Sequence, residues 1–332
     1  VARVQILATL VCLSSLAAAC SEKSAASIGM AVEFMDHAAA AYVARDKGWY
    51  KARDLNISDY TSYVTGMALA AALARRDIQV AYMCLVPAIN AYANAKVPLK
   101  IVAGTHKFGY ALVANPKVAD KPEDLARPGV RIGCVREGGA VDVLMNRFID
   151  NYRLDRRQVL NRVRRMSPPR LLVAIKTGRL DAAFLPEQWA SMAEDLGFVM
   201  LLTARDIWPG MQGSVLVVKQ ELVKNNPELV RKLVEVNDRA TGWINENPRQ
   251  AAEILARVLS ATGRKVKATH AAPITADWEI SPETIRRSMG RLDYSTAIST
   301  DEVQRVIDYL AGLGYIKKSY PAGEIVDTRF IQ

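Results

Sequence analysis

The chain resembles itself. Residues 73–82 (LARRDIQVAY) align with 175–184 (IKTGRLDAAF), and Ile28-Gly29 aligns with Ile132-Gly133, all at one offset of about one hundred residues. Each member of the first pair reads as a helix end, a basic or glycine turn and a short apolar strand. Each member of the second opens a strand that runs into a Gly- or Ala-rich helix start. A period this long exceeds any solenoid repeat, so it predicts two lobes of similar build instead of one large domain. The 332 residues suffice for two such lobes.

Apolar runs predict strands at 28–34, 56–60, 79–84, 99–104, 110–114, 130–135, 181–185, 199–203 and 214–218. Helical spacing lies between and after them. Val141, Leu144, Met145, Phe148, Ile149 and Tyr152 form one apolar face after Gly138-Gly139. Leu229, Val230, Leu233 and Val234, then Ile254, Leu255, Val258 and Leu259, then Val303, Val306, Ile307 and Leu310 repeat that logic. Alternating strands and helices predict an α/β protein with parallel sheets covered on both faces. From Glu221 onward the pattern is almost all helix, so a helical C-terminal extension is expected to pack on the lobes.

The first residues read as a targeting signal. Arg3 precedes a mostly apolar stretch from Val4 to Leu16, and Ala17-Ala18-Ala19-Cys20 is a small-residue run ending in cysteine. The apolar stretch is shorter than the ~20 residues of a spanning helix. Leu16 to Cys20 resembles a bacterial lipoprotein cleavage box with its leucine one residue early. The expectation is therefore a signal peptide over 1–19, lipidation at Cys20, a polar tether over 20–27 and an extracytoplasmic location, with plain cleavage near Ala19 as the alternative.

Forty-four Lys and Arg against 34 Asp and Glu give a net charge of +10, but the basic residues are scattered in pairs such as Arg75-Arg76 and Arg164-Arg165. With only 7% aromatics this lacks the stacking platforms of a nucleic-acid binder and fits an anionic ligand or an acidic envelope surface. With Cys12 in the signal and Cys20 lipidated only Cys84 and Cys134 remain, and His37, His106 and His270 lie far apart in the sequence. That is neither a disulfide framework nor a metal-ligand spacing, so two buried inert thiols, no metal site and no cofactor are expected.

Ala39-Ala40-Ala41-Tyr42-Val43-Ala44, Lys47-Gly48-Trp49-Tyr50 and Leu55-Asn56-Ile57 resemble the opening of the extracytoplasmic solute-binding proteins of ABC importers, in the nitrate, sulfonate, taurine, bicarbonate and thiamine-pyrimidine branch. The likeness continues through Ile78-Gln79-Val80-Ala81, Val130-Arg131-Ile132-Gly133, Gly178-Arg179-Leu180-Asp181 and Asn247-Pro248-Arg249-Gln250. It implies the type II periplasmic-binding-protein fold, two Rossmann-like lobes joined by two crossovers near 106–109 and 211–214. Lobe 1 would then be 28–106 with 214–332 and lobe 2 would be 107–213. It also implies a monomer that hands a small solute, an anion, a sulfonate or a heteroaromatic, to a membrane permease.

In such lobes ligands sit beyond the carboxyl ends of the strands. That nominates Met35, Asp36 and His37, then Thr65 and Gly66, then Cys84, Leu85 and Val86 from lobe 1. Lobe 2 should offer Glu137, Gly138, Gly139 and Ala140, then Glu187, Gln188 and Trp189, while the crossovers add Thr105, His106, Trp208 and Gln212. Gly138-Gly139-Ala140 at a helix start suits an oxyanion, or is a plain N-cap turn, and Glu137 beside it would repel an anion. Asp36 could hold an amine or cap its helix. Were Glu137 and Glu187 both to face the cleft, a cationic or heteroaromatic ligand would gain weight. Trp189 and Trp208 could stack on a flat ligand or pack the lobes; Trp49, Trp243 and Trp278 read as packing residues. The turn-rich 206–212 fits a hinge or a cleft wall.

A binding protein needs no catalytic group, and the chain has no Gly-x-Ser-x-Gly elbow, no HExxH and no Walker loop. The alternatives are an enzyme related to thiamine-pyrimidine synthesis on the same lobes, or a sensor that keeps the fold and lacks the permease.

Overall fold

A computed structural model describes residues 27–75, 78–263 and 280–331. The expected signal peptide, Cys20, most of the tether and Trp278 lie outside the described residues. The first part of the chain supplies β1 (Ile28–Glu33), β2 (Ile57–Tyr63), β3 (Val80–Cys84) and β4 (Leu99–Phe108), with helices α1 (Ala39–Asp46), α2 (Trp49–Ala52), α3 (Gly66–Leu73) and α4 (Leu85–Ala93). The middle supplies β5 (Tyr110–Ala114), β6 (Ile132–Cys134), β7 (Val163–Arg165), β8 (Ala182–Pro186) and β9 (Val199–Thr203), with α5 (Ala140–Asn151), α6 (Arg156–Leu160), α7 (Pro168–Lys176), α8 (Glu187–Glu194) and α9 (Ala204–Ile207). The chain then returns through β10 (Gln212–Lys219) to α10 (Gln220–Asn225), α11 (Pro227–Glu246), α12 (Pro248–Gly263), α13 (Pro282–Met289), β11 (Leu292–Tyr294) and α14 (Thr300–Gly312).

The strands form two sheets, in the orders β11-β4-β10-β3-β1-β2 and β7-β6-β8-β5-β9. Leaving aside the edge strand β11, the orders correspond position for position. In each sheet the strand that has just crossed from the other one, β10 or β5, is wedged between its third and fourth strands. This is the duplication read from the sequence, since Ile28 opens β1 and Ile132 opens β6. The sheets are mixed and not purely parallel as expected. β10 runs antiparallel to β3 and β4, and β5 antiparallel to β8 and β9, because a strand entering directly from the other sheet arrives reversed. The C-terminal extension departs from all-helix at β11, which pairs antiparallel with β4.

Strand side chains alternate between two cores. Val80 and Tyr82 face one cluster, Ala81 and Met83 the other; Leu216 and Val218 divide from Val215 and Val217 in the same way. The first cluster is covered by α1, α8, α11 and α12, and the second by α4, α5 and α14. Burial on both faces is why these strands read as continuous apolar runs.

Candidate functional site

Four strand ends converge between the sheets. β1 is followed by Met35 and a short 3-10 turn at Asp36–Ala38, β3 ends in Cys84, β6 is followed by Val135 and Arg136, and β8 ends in Pro186. They enclose a cavity of about 50 Å³. One wall is Met35, Thr65, Gly66, Met67, Cys84 and Pro87; the other is Val135, Arg136, Gly139, Ala140, Pro168 and Pro186, with Tyr110 contributed by β5. This is the place where open α/β sheets bind ligands. At about 10–15 Å³ per water-sized sphere, the volume suits a solute of a few non-hydrogen atoms.

Five helices begin on this wall, α4 and α8 with Cys84 and Pro186 as their N-caps. Thr65 caps α3 and accepts the Ala68 N–H at 3.2 Å, Gly139 is the N-cap of α5 and brings no side-chain cap, and Pro168 is the first residue of α7. Helix N-termini present positive partial charge. Arg136 adds a full positive charge, and among the described residues no carboxylate lies on the cavity wall.

Of the candidates, Met35, Thr65, Gly66, Cys84, Gly139 and Ala140 line the cavity. Glu137 is exposed and Gly138 half-buried, and neither lines it; the Gly138 carbonyl accepts Asn90 Nδ2 at 2.9 Å, while its N–H donates to Asp142 at 3.0 Å. Leu85 and Val86 are buried in the core, as is Trp189. Trp208 packs edge-on against Tyr309, ring centroids 5.3 Å apart, with the Arg147 guanidinium over its face. Gln212 is tied up structurally, donating to the carbonyls of His106 and Ser214 at 2.9 Å.

Asp36, His37, Thr105 and His106 are buried and do not line the cavity. The sequence did not nominate Glu33, which joins His37 to the end of β3. Glu33 accepts the Cys84 N–H and the Cys84 thiol, both at 2.9 Å, and lies 3.7 Å from His37 Nδ1. His37 Nε2 is 2.6 Å from the Gly109 carbonyl oxygen, and its ring centroid is 4.6 Å from that of His106. Gly109 has φ +92°, and a Cβ there would sit 2.7 Å from His37 Nε2, so the linker between β4 and β5 needs glycine twice over. A lone acid ending the apolar strand IGMAVE was the available signal for Glu33.

Burial and the Glu33 carboxylate push the Cys84 thiol well up. Burial lowers the proton affinity of His37, but the Glu33 hydrogen bond and the charges of Asp36 and Glu33 outweigh it and raise the net value. His106 goes the other way, well down, through burial and the charge of His37. Burial raises Asp36, opposed by His37 and by the hydroxyl of Ser288 that donates to it.

The two sheets are clasped at one side by α8 and α13. Arg291 reaches Glu187 at 3.0 Å and Glu194 at 2.8 Å, Arg287 reaches Asp195 at 2.5 Å, and Thr284 donates to Asp195 at 2.7 Å. The Asp36 N–H donates to Gln188 at 3.0 Å and the Glu187 N–H to Gly109 at 2.8 Å. Glu187 therefore faces Arg291 and not the cavity.

A family model described as the NMT1-like family matches residues 20–260. A nitrate import ATP-binding protein of Synechocystis sp. is 24% identical over 234 residues, covering 64% of this chain but 34% of that protein, so the match spans about a third of its length. Among solved structures, the alkanesulfonate-binding protein SsuA from Xanthomonas axonopodis pv. citri bound to MOPS has a TM-score of 0.73 at 15% identity, covering 91% of this chain and 98% of its own. A ligand-binding component of an ABC-type import system from Staphylococcus aureus, with zinc bound, has a TM-score of 0.72 at 14% identity, covering 92% and 97%. At such identities these structures establish the shared fold, that of importer binding proteins. The family match takes in the strands of both sheets except β11, together with every wall of the cavity, and on that ground the chain belongs to the NMT1-like family.

Proposed function

We propose that the protein is the solute-binding component of an ABC importer and that it closes its lobes over a small anion. One observation carries the choice of anion: the cavity wall holds five helix N-termini and Arg136 and, among the described residues, no carboxylate. Glu137 and Glu187 do not line it, so the condition for a cationic ligand is not met. The small volume favours a compact oxyanion, and the apolar remainder of the wall, Met35, Met67, Pro87 and Pro168, would suit a short alkyl group on a sulfonate. The nitrate and sulfonate proteins to which the chain is similar support this reading.

In this proposal lobe 1 (28–106 with 214–332) and lobe 2 (107–213) rotate about Gly109 and the segment 204–211. The protein is a monomer outside the cytoplasm, tethered by a lipid on Cys20, and it presents its closed form to the permease. The test is thermal unfolding of the protein against nitrate, bicarbonate, taurine and alkyl sulfonates, with pyrimidines and cationic amines as the opposing set. An anion at a hundred times its Kd adds ~2.7 kcal/mol and raises the midpoint by several degrees. A shift with amines and none with anions would overturn the reading.

A further inference from the structure

Beneath the cavity three potential ligands come together from three places in the chain. Glu33 ends β1, His37 sits in the turn after it and Cys84 ends β3; one donor atom from each lies within 4.8 Å of the others, and all three residues are buried. We propose that Glu33, His37 and Cys84 form a binding site for a divalent transition-metal ion of the zinc class, leaving a fourth position to water or a solute oxygen.

The spacing fits. Tetrahedral zinc, with bonds of ~2.3 Å to sulfur, ~2.0 Å to nitrogen and ~2.0 Å to oxygen, holds sulfur and nitrogen about 3.5 Å apart and nitrogen and oxygen about 3.3 Å apart. Cys84 Sγ is 3.5 Å from His37 Nδ1, and His37 Nδ1 is 3.7 Å from Glu33 Oε2. Only the pair Sγ to Oε2, at 2.9 Å, is closer than a shared ion requires, because a thiol hydrogen bond occupies it. The ion would replace that bond: a sulfur–metal bond forms as the S–H bond breaks, a nitrogen–metal bond forms at His37 Nδ1, and the thiol proton, with the Nδ1 proton of any His37 that carries one against Glu33, leaves to solvent.

The histidine is already oriented for this. A carbonyl oxygen can only accept, so at 2.6 Å from the Gly109 oxygen His37 Nε2 carries the proton and donates. Nδ1 then faces Cys84 and Glu33. A metal-binding imidazole typically makes this outer hydrogen bond to a backbone carbonyl, which fixes its tautomer. The donor set of one thiol, one imidazole and one carboxylate suits zinc and disfavours magnesium or calcium, which take oxygen ligands. Access runs through the cavity, since Cys84 and Gly66 line it and the Glu33 carboxylate lies directly behind Gly66 at the start of α3. A Cβ on Gly66 would lie 2.3 Å from Glu33 Oε1.

The inference does not depend on which solute fills the cavity. The test uses the full chain carrying Cys12→Ser, Cys20→Ser and Cys134→Ser, so that Cys84 is its one thiol, titrated with zinc(II) in competition with a chromogenic chelator and separately with cobalt(II). The expected result is one zinc per chain, one thiol proton released, and a thiolate-to-cobalt charge-transfer band. Adding Cys84→Ser or His37→Gln should weaken zinc binding at least tenfold with the circular dichroism unchanged. Absence of zinc binding, cobalt binding without the thiolate band, or zinc affinity in both variants equal to that of the parent overturns the site. The cobalt spectrum decides the matter even if a variant fails to fold, and a thermal shift with anions on metal-free protein tests the solute reading separately.

Discussion

Arg291 Nη1 lies 3.0 Å from Glu187 Oε1, and this ion pair joins the turn after α13 to the first residue of α8. Glu187 is 1% exposed, and Arg291 also holds Glu194 at 2.8 Å. The pair is the deepest member of the α8–α13 clasp.

Burial pushes the Glu187 carboxyl from its ordinary 4.5 up to about 7, against the lowering effect of Arg291. In the unfolded chain the proton leaves near 4.5, while the folded protein keeps it until about pH 7. The stability this proton supplies is therefore complete below about pH 4.5 and lost as pH rises to about 7, on the order of 3 kcal/mol across the window. Glu187→Gln removes the titration, and Arg291 retains Glu194. Urea unfolding from pH 4.5 to 7.5 should show a smaller fall in stability with rising pH in the variant; equal slopes would reject the assignment.

Gly109→Ala should destabilise by roughly 2–3 kcal/mol, because alanine is strained at φ +92° and its Cβ would meet His37 Nε2 at 2.7 Å and His106 Cε1 at 2.8 Å. Gly197→Ala, also at positive φ but with nothing within 4 Å of its Cβ, isolates the backbone share. Equal losses of urea midpoint in the two would mean that the crowding at Gly109 costs nothing.

Much of this fold was legible because burial wrote it into the composition of the strands. The stretch 110–114 coincides with β5, an interior strand buried at every residue, while 199–203 coincides with the edge strand β9, which is only half-buried but keeps four apolar residues in a row. β7, Val-Arg-Arg, and β11, Leu-Asp-Tyr, were not legible: three residues at a sheet edge with charged side chains carry no periodic signal. Strand direction was not legible either, since β5 and β10 are reversed by where the chain crosses, a global property. In the site, the helix starts at Thr65 and Gly139 could be read from turn chemistry. Glu33 could not, because Cys84 reaches it only through the pairing of β1 with β3, and His37, four residues on, makes no such site by itself.

Trp208→Ala should cost about 3–5 kcal/mol of stability with less than a twofold change in solute affinity. Its ring is 6% exposed and packed against Tyr309 and Arg147, and it does not line the cavity. A tenfold loss of affinity at unchanged stability would instead mean that the ring stacks on the solute.

Arg136 separates the anion reading from its rivals. It follows β6, is exposed, and is the one charged side chain among the residues lining the cavity. An exposed side chain contributes little to the fold, so Arg136→Ala should leave the melting temperature within about a degree of the parent. A charge-assisted hydrogen bond to an oxyanion is stronger than a neutral one, and its loss should weaken binding by about tenfold in calorimetry. Arg136→Lys, which keeps the charge and loses the planar fork, should fall between the two, and raising the salt should weaken the parent more than the alanine variant. If all three proteins bind the anion alike, the solute does not touch Arg136. The helix N-termini of α3, α4, α5, α7 and α8 would then have to carry recognition without it, and a neutral polar solute would fit the wall as well as an anion does.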